Sequence, residues 1–381
     1  MSIAELTRNA VHVLPEGALE AKLKLGRPLR IKLGIDVTSP DIHVGRGIPL
    51  QRMRAFQDEG HIGVLIVGDY TTRIGDPSGR SSERPILSDE EIDRNARTYV
   101  EQAHQIVLPD RTEVRHNSEW LAGLSFADVI HLTRMMTVAQ MLERDDFAGR
   151  YVAGQPISVS ELLYPLMQAY DSVAVDADVE LGGTDQLYNL LAGREVMQAY
   201  GLEPQVVLTT PLLVSWDGDK MSSSVGNNIP LTAPAEEQFG RTMRISDELL
   251  PEWYRLVLQE NLSGDADPLE AKLALARRIV TRSHGEDAAA AAEEHFTRVV
   301  REGRAPEELA EARLPSGDPV HLPSALAEWF GLSTSEARRL IAQGGVKIDG
   351  EQVDALDIPR DAFSDAVVQA GKRRFVRVAK G

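Results

Sequence analysis

The chain has 381 residues with 41 Lys+Arg against 58 Asp+Glu, a net charge of −17 and no cysteine. That length exceeds one compact core and predicts two or three domains, while the missing cysteine excludes disulfides, thiolate metal sites and a cysteine nucleophile. The acidic balance argues against a surface that binds nucleic acid everywhere, and the 43% hydrophobic content is ordinary for a soluble protein. No run is long enough for a membrane span, and the opening MSIAELTRNA lacks a signal-peptide pattern, so a cytoplasmic protein is expected.

In chain order, residues 1 to 30 read as a helical lead-in, with apolar positions three and four apart. Ile31 to Ile35 is an apolar run suited to a buried strand, broken by Asp36 and the turn-forming Thr38-Ser39-Pro40-Asp41. His43-Val44-Gly45-Arg46-Gly47 follows and leads into a helical pattern. Strand, polar loop, glycine and helix start is a geometry that aims backbone N–H groups at a phosphate. Gly45 leaves room for a flat base or ribose, and His43 and Arg46 place two donors where charge would develop on phosphate oxygens.

Residues 62 to 67 form a second buried strand, ending at Gly68-Asp69-Tyr70 and the loop TTRIGDPSGRSSERP. A helix follows from 89 to 107, capped by Ser88 with Glu91 three residues on. Residues 114 to 117 suit a short strand and 118 to 148 read as helical, with Met135, Met136, Met141 and Leu142 in core or at a subunit interface. A helix is predicted over 158 to 169, with Asp171 just beyond it. The alternating run 172 to 181 then reads as a strand ending in Gly182-Gly183-Thr184-Asp185-Gln186, followed by a helix to 200 and a strand at 206 to 209.

Strands alternating with helices predict an α/β fold with a Rossmann-like, mainly parallel sheet. Its ligands bind at the carboxyl ends of the strands, where all these polar loops should meet. Residues 211 to 229 form a loop with one lysine, Lys220, among small hydroxyl residues. Helices dominate from 235 to about 302, and the Pro- and Gly-containing stretch 303 to 320 suits a linker. A small α/β tail ends the chain. From residue 319 onward it has 9 Lys+Arg against 8 Asp+Glu, with Lys372, Arg373, Arg374, Arg377 and Lys380 near its end, a charge asymmetry suited to RNA contact on one face.

Together these stretches resemble the class I tyrosyl-tRNA synthetases over nearly the whole chain. Residues 43 to 46 (HVGR) look like the HIGH signature and Lys220-Met221-Ser222-Ser223-Ser224 like the KMSKS loop. Tyr164, Gln168 and Asp171 resemble the family's tyrosine-pocket helix, 182 to 186 its second nucleotide loop, IGDPSGRSSER its phosphate-side loop, and VAQMLERDDFAGRY (138 to 151) its dimer-interface insertion. The tail, with SEARRLIAQGGVKIDGEQV at 335 to 353, resembles the S-four-like RNA-binding domain behind bacterial tyrosine enzymes.

The resemblance implies a catalytic domain at 1–225 with the dimer-interface insertion around 118–155. It also implies a helical anticodon-side domain at 226–305, a linker at 306–319 and an RNA-binding domain at 320–381. It implies ligation of L-tyrosine to tRNA(Tyr) through a tyrosyl-adenylate by a homodimer, with ATP and Mg2+ as substrate and no protein-bound metal, prosthetic group or membrane partner. His43, Arg46, Thr38 and Lys220 would act on the phosphates. Gly45, Gly182, Gly183, Asp185, Lys220 and Met221 would bind ATP. Asp36, Asp76, Tyr164, Gln168, Asp171 and Gln186 would hold tyrosine, with Asp171 accepting from the phenol. Arg80 and Arg84 would face pyrophosphate or the tRNA end. Arg338 and Arg339, on a helix capped by Ser335, would contact tRNA phosphates together with Lys347.

Four positions depart from the family pattern. Arg46 replaces the second histidine of HIGH, and Ser223 the second lysine of KMSKS, which shifts positive charge from loop to helix start. Lys32 stands where many tyrosine enzymes place a tyrosine, and Glu180 where they place a glutamine. Opposite charges within reach offset the cost of burial, so these two should pair at the pocket wall, leaving Asp171 as the main reader of the phenol. Two other readings remain: an enzyme that activates another aromatic amino acid or transfers tyrosine to something other than its cognate tRNA, and an RNA-binding or regulatory paralogue with a decayed site.

Overall fold

A computed structural model describes residues 2–77, 87–302, 309–371 and 374–379. The chain divides into two compact units, residues 1–233 with 241–275 and residues 234–240 with 276–381.

The first unit is built on a six-stranded sheet. Its strands are β1 (His12–Leu14), β2 (Arg30–Ile35), β3 (Ile62–Val67), β4 (Thr112–His116), β5 (Val179–Gly183) and β6 (Val206–Thr210), in the order β1-β6-β5-β2-β3-β4. All pairings are parallel except β1 with β6. The principal helices are α1 (Val44–Asp58), α2 (Asp89–Ala103), α3 (Val159–Ala174) and α4 (Leu187–Ala199). Alternation in β2 sends Ile31 and Leu33 into a core with Leu50, Met53 and Phe56 of α1, Leu181 and Leu208. Lys32, between them in the strand, has the opposite orientation and lies under α3. The carboxyl ends of β2, β3, β5 and β6 therefore point the same way, as the parallel-sheet reading requires.

Three stretches differ from their sequence reading. The lead-in is not wholly helical, because His12–Leu14 adds an edge strand to β6. The run 172 to 181 is not one strand. Helix α3 continues to Ala174, so that Ala169 and its neighbour Val173 still pack towards α4; the chain then turns at Asp176 (φ 47°) before β5. A sequence alternating Val, Ala and Asp satisfies either period, and the packing of α3 on α4 decides it. Residues 118 to 148 break into the short helices Ser118–Leu121, Phe126–Thr133 and Val138–Met141, with Asp145–Val152 beyond. Ser125 with Asp128 and Thr137 with Gln140 form capping boxes that each start a new helix. The expected box at Ser88 and Glu91 opens α2.

The second unit ends in a small sheet, β7 (Glu311–Ala312), β8 (Val346–Ile348), β9 (Glu351–Gln352), β10 (Val367–Ala370) and β11 (Arg374–Val378), in the order β9-β8-β10-β11-β7. Helices α5 (Leu322–Phe330) and α6 (Thr334–Ala342) share its core through Leu326, Ala337, Ile341, Val346 and Val368. Two residues of the stretch read as linker thus belong to the sheet. The cap of α6 is Ser333, not Ser335: its hydroxyl accepts from Glu336 N–H, and the Glu336 carboxylate accepts from Ser333 N–H.

Candidate active site

The carboxyl ends of β2, β3, β5 and β6 open into one cavity of about 890 Å3 within the first unit. Helix α1 starts at its edge. His43 is the cap of α1, and its Nδ1 accepts the Arg46 backbone N–H at 3.3 Å, which leaves Nε2 as the donor of the neutral ring. Burial pushes the imidazole down to about 3, aided by the positive charges of Arg46 and Lys220. His43 is therefore a neutral donor at any ordinary pH. A Cβ on Gly45 would lie 3.2 Å from the His43 ring, so the glycine keeps this turn open.

Across the cavity, β5 ends at Gly183, where a Cβ would come within 2.7 Å of Leu212 and closer still to Asp185. Asp185 pairs with the Lys220 ammonium. Lys220 is held by local pairing of its segment with Val214, and Met221, buried beside it, donates its N–H to Leu213 O at 2.8 Å. Residues 42 to 44 pair with 229 to 231, tying the loop that carries Lys220 to the start of α1. Arg46 and Lys220 are the cations lining the cavity among the described residues.

Deeper in, Asp36 gathers donors. Its carboxylate accepts from Tyr164 OH at 3.0 Å, Thr71 Oγ1 at 2.7 Å and the Asp76 N–H at 3.1 Å. Gln186 Nε2 donates to Asp76 Oδ2 at 2.6 Å. Burial, followed by the charges of Asp36 and Asp76, holds the Tyr164 phenol well above its ordinary range. Asp171 lies inside α3 rather than beyond it, and accepts from Trp120 Nε1 at 2.8 Å and Asn117 Nδ2 at 3.4 Å. Burial pushes its carboxyl up to about 7 against the opposing effects of Lys32 and these two donors.

Lys32 and Glu180 do pair, at 2.9 Å, but they lie one layer behind the cavity and do not line it. Lys32 donates to Gln168 O at 2.9 Å and Ser172 Oγ at 2.7 Å, and Glu180 accepts from Gln168 Nε2 at 3.2 Å. They therefore support Gln168, which faces the cavity.

The other sequence candidates gather as expected: Asp36, Thr38, His43, Gly45, Arg46, Asp76, Tyr164, Gln168, Asp171, Gly182, Gly183, Asp185, Gln186, Lys220 and Met221 all line this one space. Arg80 and Arg84 lie outside the described residues. Arg338, Arg339 and Lys347 are exposed on α6 and β8 of the second unit. The sequence reading passed over Gly68, Thr71, Asn117 and Trp120. A Cβ on Gly68 would meet the Asp36 and Thr71 side chains at 2.5 Å, and the other three orient Asp36 or Asp171. A glycine ending a buried strand was the one available signal for the first of these. Among the described residues no three His, Asp or Glu side chains are grouped to hold a metal ion.

Residues 24–301 match the family model for tRNA synthetases class I (W and Y), and residues 322–357 match that for the S4 domain. The chain is 46% identical over 389 residues to the tyrosine–tRNA ligase of Thermotoga maritima, covering 99% of this chain and 96% of that protein. It is 47% identical over 401 residues to that of Geobacter sulfurreducens, covering 99% of each. Among solved structures, the tyrosyl-tRNA synthetase of Archaeoglobus fulgidus, complexed with L-tyrosine, is similar in fold. Its TM-score is 0.63 at 23% identity, over 76% of this chain and 98% of that one.

Proposed function

The chain belongs to the class I tRNA synthetases (W and Y), and on that premise we infer how its own residues divide the work of tyrosine ligation. The reaction is the ATP-dependent joining of L-tyrosine to tRNA through a tyrosyl-adenylate, with release of pyrophosphate and AMP. A tyrosine carboxylate oxygen attacks the α-phosphorus and pyrophosphate leaves. The terminal adenosine hydroxyl of tRNA then attacks the adenylate carbonyl and AMP leaves. Both steps join or part negatively charged groups, so positioning and cationic stabilisation carry the catalysis.

In this reading Asp76, Tyr164 and Gln168 hold the tyrosine ammonium, with Asp36 fixing the first two. Gln186 lies beside the carboxylate and Asp171 meets the phenol. Gly182, Gly183 and Asp185 take the ribose, Gly45 and Met221 flank the base, and ATP enters as its magnesium complex. Thr38 and the neutral His43 donate to phosphate oxygens, while Arg46 and Lys220 supply positive charge. The Lys220–Asp185 pair must separate for Lys220 to reach pyrophosphate. Arg80 and Arg84 are assigned to pyrophosphate or the tRNA end, and Arg338, Arg339 and Lys347 to tRNA phosphates. Residues 1–225, 226–305 and 320–381 are taken as catalytic, anticodon-side and RNA-binding domains of a cytoplasmic enzyme.

A homodimer is part of the proposal. Phe126, Val138, Tyr151 and Val152 are 79, 58, 67 and 87% exposed along the insertion, and Val159 at the start of α3 is 74% exposed, an apolar surface suited to association.

The single observation that carries the assignment of roles is the convergence of residues 43 to 46, 182 to 186 and 220 to 224 on one cavity with Tyr164 and Asp171. ATP–pyrophosphate exchange with tyrosine, phenylalanine and tryptophan tests it. Exchange is expected with tyrosine; exchange with another aromatic amino acid alone, or with none, would overturn it.

A further inference from the structure

Between the exposed apolar segment and the cavity lies a run of hydrogen bonds with one permitted direction. Arg144 is only 7% exposed, its guanidinium 4.8 Å from the Phe147 ring and 5.2 Å from the Tyr188 ring. It donates to Asn189 Oδ1 at 3.0 Å. Asn189 is 1% exposed and donates through Nδ2 to Gln186 Oε1 at 3.3 Å. Gln186 in turn donates through Nε2 to Asp76 Oδ2 at 2.6 Å. Gln186 and Asp76 line the cavity, whereas Arg144 and Asn189 do not.

The two ends fix the middle. A guanidinium only donates and a carboxylate only accepts, whereas an amide carries both an acceptor oxygen and a donor N–H. Only one orientation of each amide joins the ends, so the cation at Arg144 reinforces from one side the state that the Asp76 carboxylate favours from the other, in which Gln186 gives its N–H to Asp76. The charge of Arg144 also acts on the Glu161 carboxylate, which Arg150 holds in a two-point pair at 2.7 and 2.9 Å.

We propose that Arg144 and Asn189 are positioning residues for amino-acid binding, acting through Gln186 to aim the Asp76 carboxylate at the substrate ammonium. The inference rests on the reading of Asp76 as an ammonium acceptor. It links the packing of the insertion to the affinity of the pocket without any contact between Arg144 and substrate.

Asn189→Asp is the cleanest probe. The new carboxylate still accepts from Arg144, so that contact is kept and gains a charge, but it has no N–H for Gln186. Tyrosine-dependent pyrophosphate exchange by this variant is expected to show a KM for tyrosine raised about tenfold, with KM for ATP unchanged. Calorimetric titration separates positioning from general damage. Tyramine, which keeps the ammonium, should weaken as tyrosine does, whereas 3-(4-hydroxyphenyl)propionate, which lacks it, should bind as to the wild type.

Arg144→Met should match Asn189→Asp, and Arg144→Gln, which keeps an uncharged donor, should fall between it and the wild type. Thermal melting identifies any variant that fails to fold, and the folded member of the set then decides. Unchanged tyrosine affinity in a folded Asn189→Asp or Arg144→Met, or equal weakening of both analogues, would overturn the proposal. A wild-type chain without tyrosine-dependent exchange would instead sink the functional reading beneath it.

Discussion

Lys32 Nζ sits 2.9 Å from Glu180 Oε1 on neighbouring parallel strands, and neither side chain is more than 1% exposed. Each partner also holds other groups: Lys32 contacts Gln168 O and Ser172 Oγ, and Glu180 accepts from Gln168, Ser172 and Gln205. Removing one charge strands the other in a dry interior, at a cost of about 3–5 kcal/mol. Lys32→Met should therefore lower the melting temperature markedly, while Lys32→Met combined with Glu180→Gln should recover most of the loss. A single variant that melts like the wild type would show that the pair does not stabilise the fold.

Asp171 gives the protein a pH dependence of defined sign. Its folded carboxyl is raised to about 7 from an ordinary 3.8, by burial first, with Lys32 opposing and Glu180 adding to the rise. Between those values the folded state holds a proton that the unfolded state has released. The resulting stability is full below the ordinary value and is lost as pH rises through about 7. Between pH 5 and 8 the wild type should lose about 2–3 kcal/mol relative to Asp171→Asn, whose uncharged amide does not titrate. Denaturant unfolding of both proteins across that range measures the difference. A constant gap between them would mean that the carboxyl does not titrate there.

The same groups show how far the sequence could be read. The sheet and its cavity were readable because continuous apolar strands, Ile31 to Ile35 and Ile62 to Val67, end in polar loops, and parallel topology brings such loops to one edge. The Lys32–Glu180 pair was readable through the resemblance, as opposite charges at two positions of the family's tyrosine pocket, but its depth was not. Whether a strand residue reaches the cavity depends on which face α3 covers, and α3 ends five residues later than its pattern suggested. The donors that orient Asp36 and Asp171, namely Thr71, Asn117 and Trp120, lie 35 to 54 residues from their partners in sequence. Nothing local marks such contacts. The cap of α6 was misplaced by two residues because Ser333, Thr334 and Ser335 are equally good cap types, and only Glu336 at the third helical position selects Ser333.

His43 is expected to act without titrating. With its ring held at about 3, chiefly by burial and then by Arg46 and Lys220, it stays neutral throughout the working pH range. Its role is to donate one hydrogen bond to a phosphate oxygen. His43→Ala should lower the rate of adenylate formation on the order of a hundredfold while leaving the shape of the pH–rate profile between 5.5 and 7.5 intact. A protonation step near 6.5 that disappears in the variant would contradict this account.

A neutral His43 increases the demand on Arg46. Among the described residues that line the cavity, only Arg46 and Lys220 carry positive charge, and Ser223 stands where the family's loop has a second lysine. The Arg46 side chain reaches Ser39 Oγ at 3.4 Å, which holds it along the loop that leads into α1. Its guanidinium is permanently charged and longer than an imidazole, so it serves as the fixed cation that the loop lacks. Arg46→His replaces that charge with a ring largely neutral above pH 7 and should slow tyrosine-dependent pyrophosphate exchange at least about tenfold, mainly in kcat. If the cation has moved from loop to helix, Ser223→Lys in the Arg46→His background should recover part of the rate, and Ser223→Lys alone should change little. Wild-type exchange by Arg46→His, or no recovery in the double variant, would show that the two positions are not exchanging one charge.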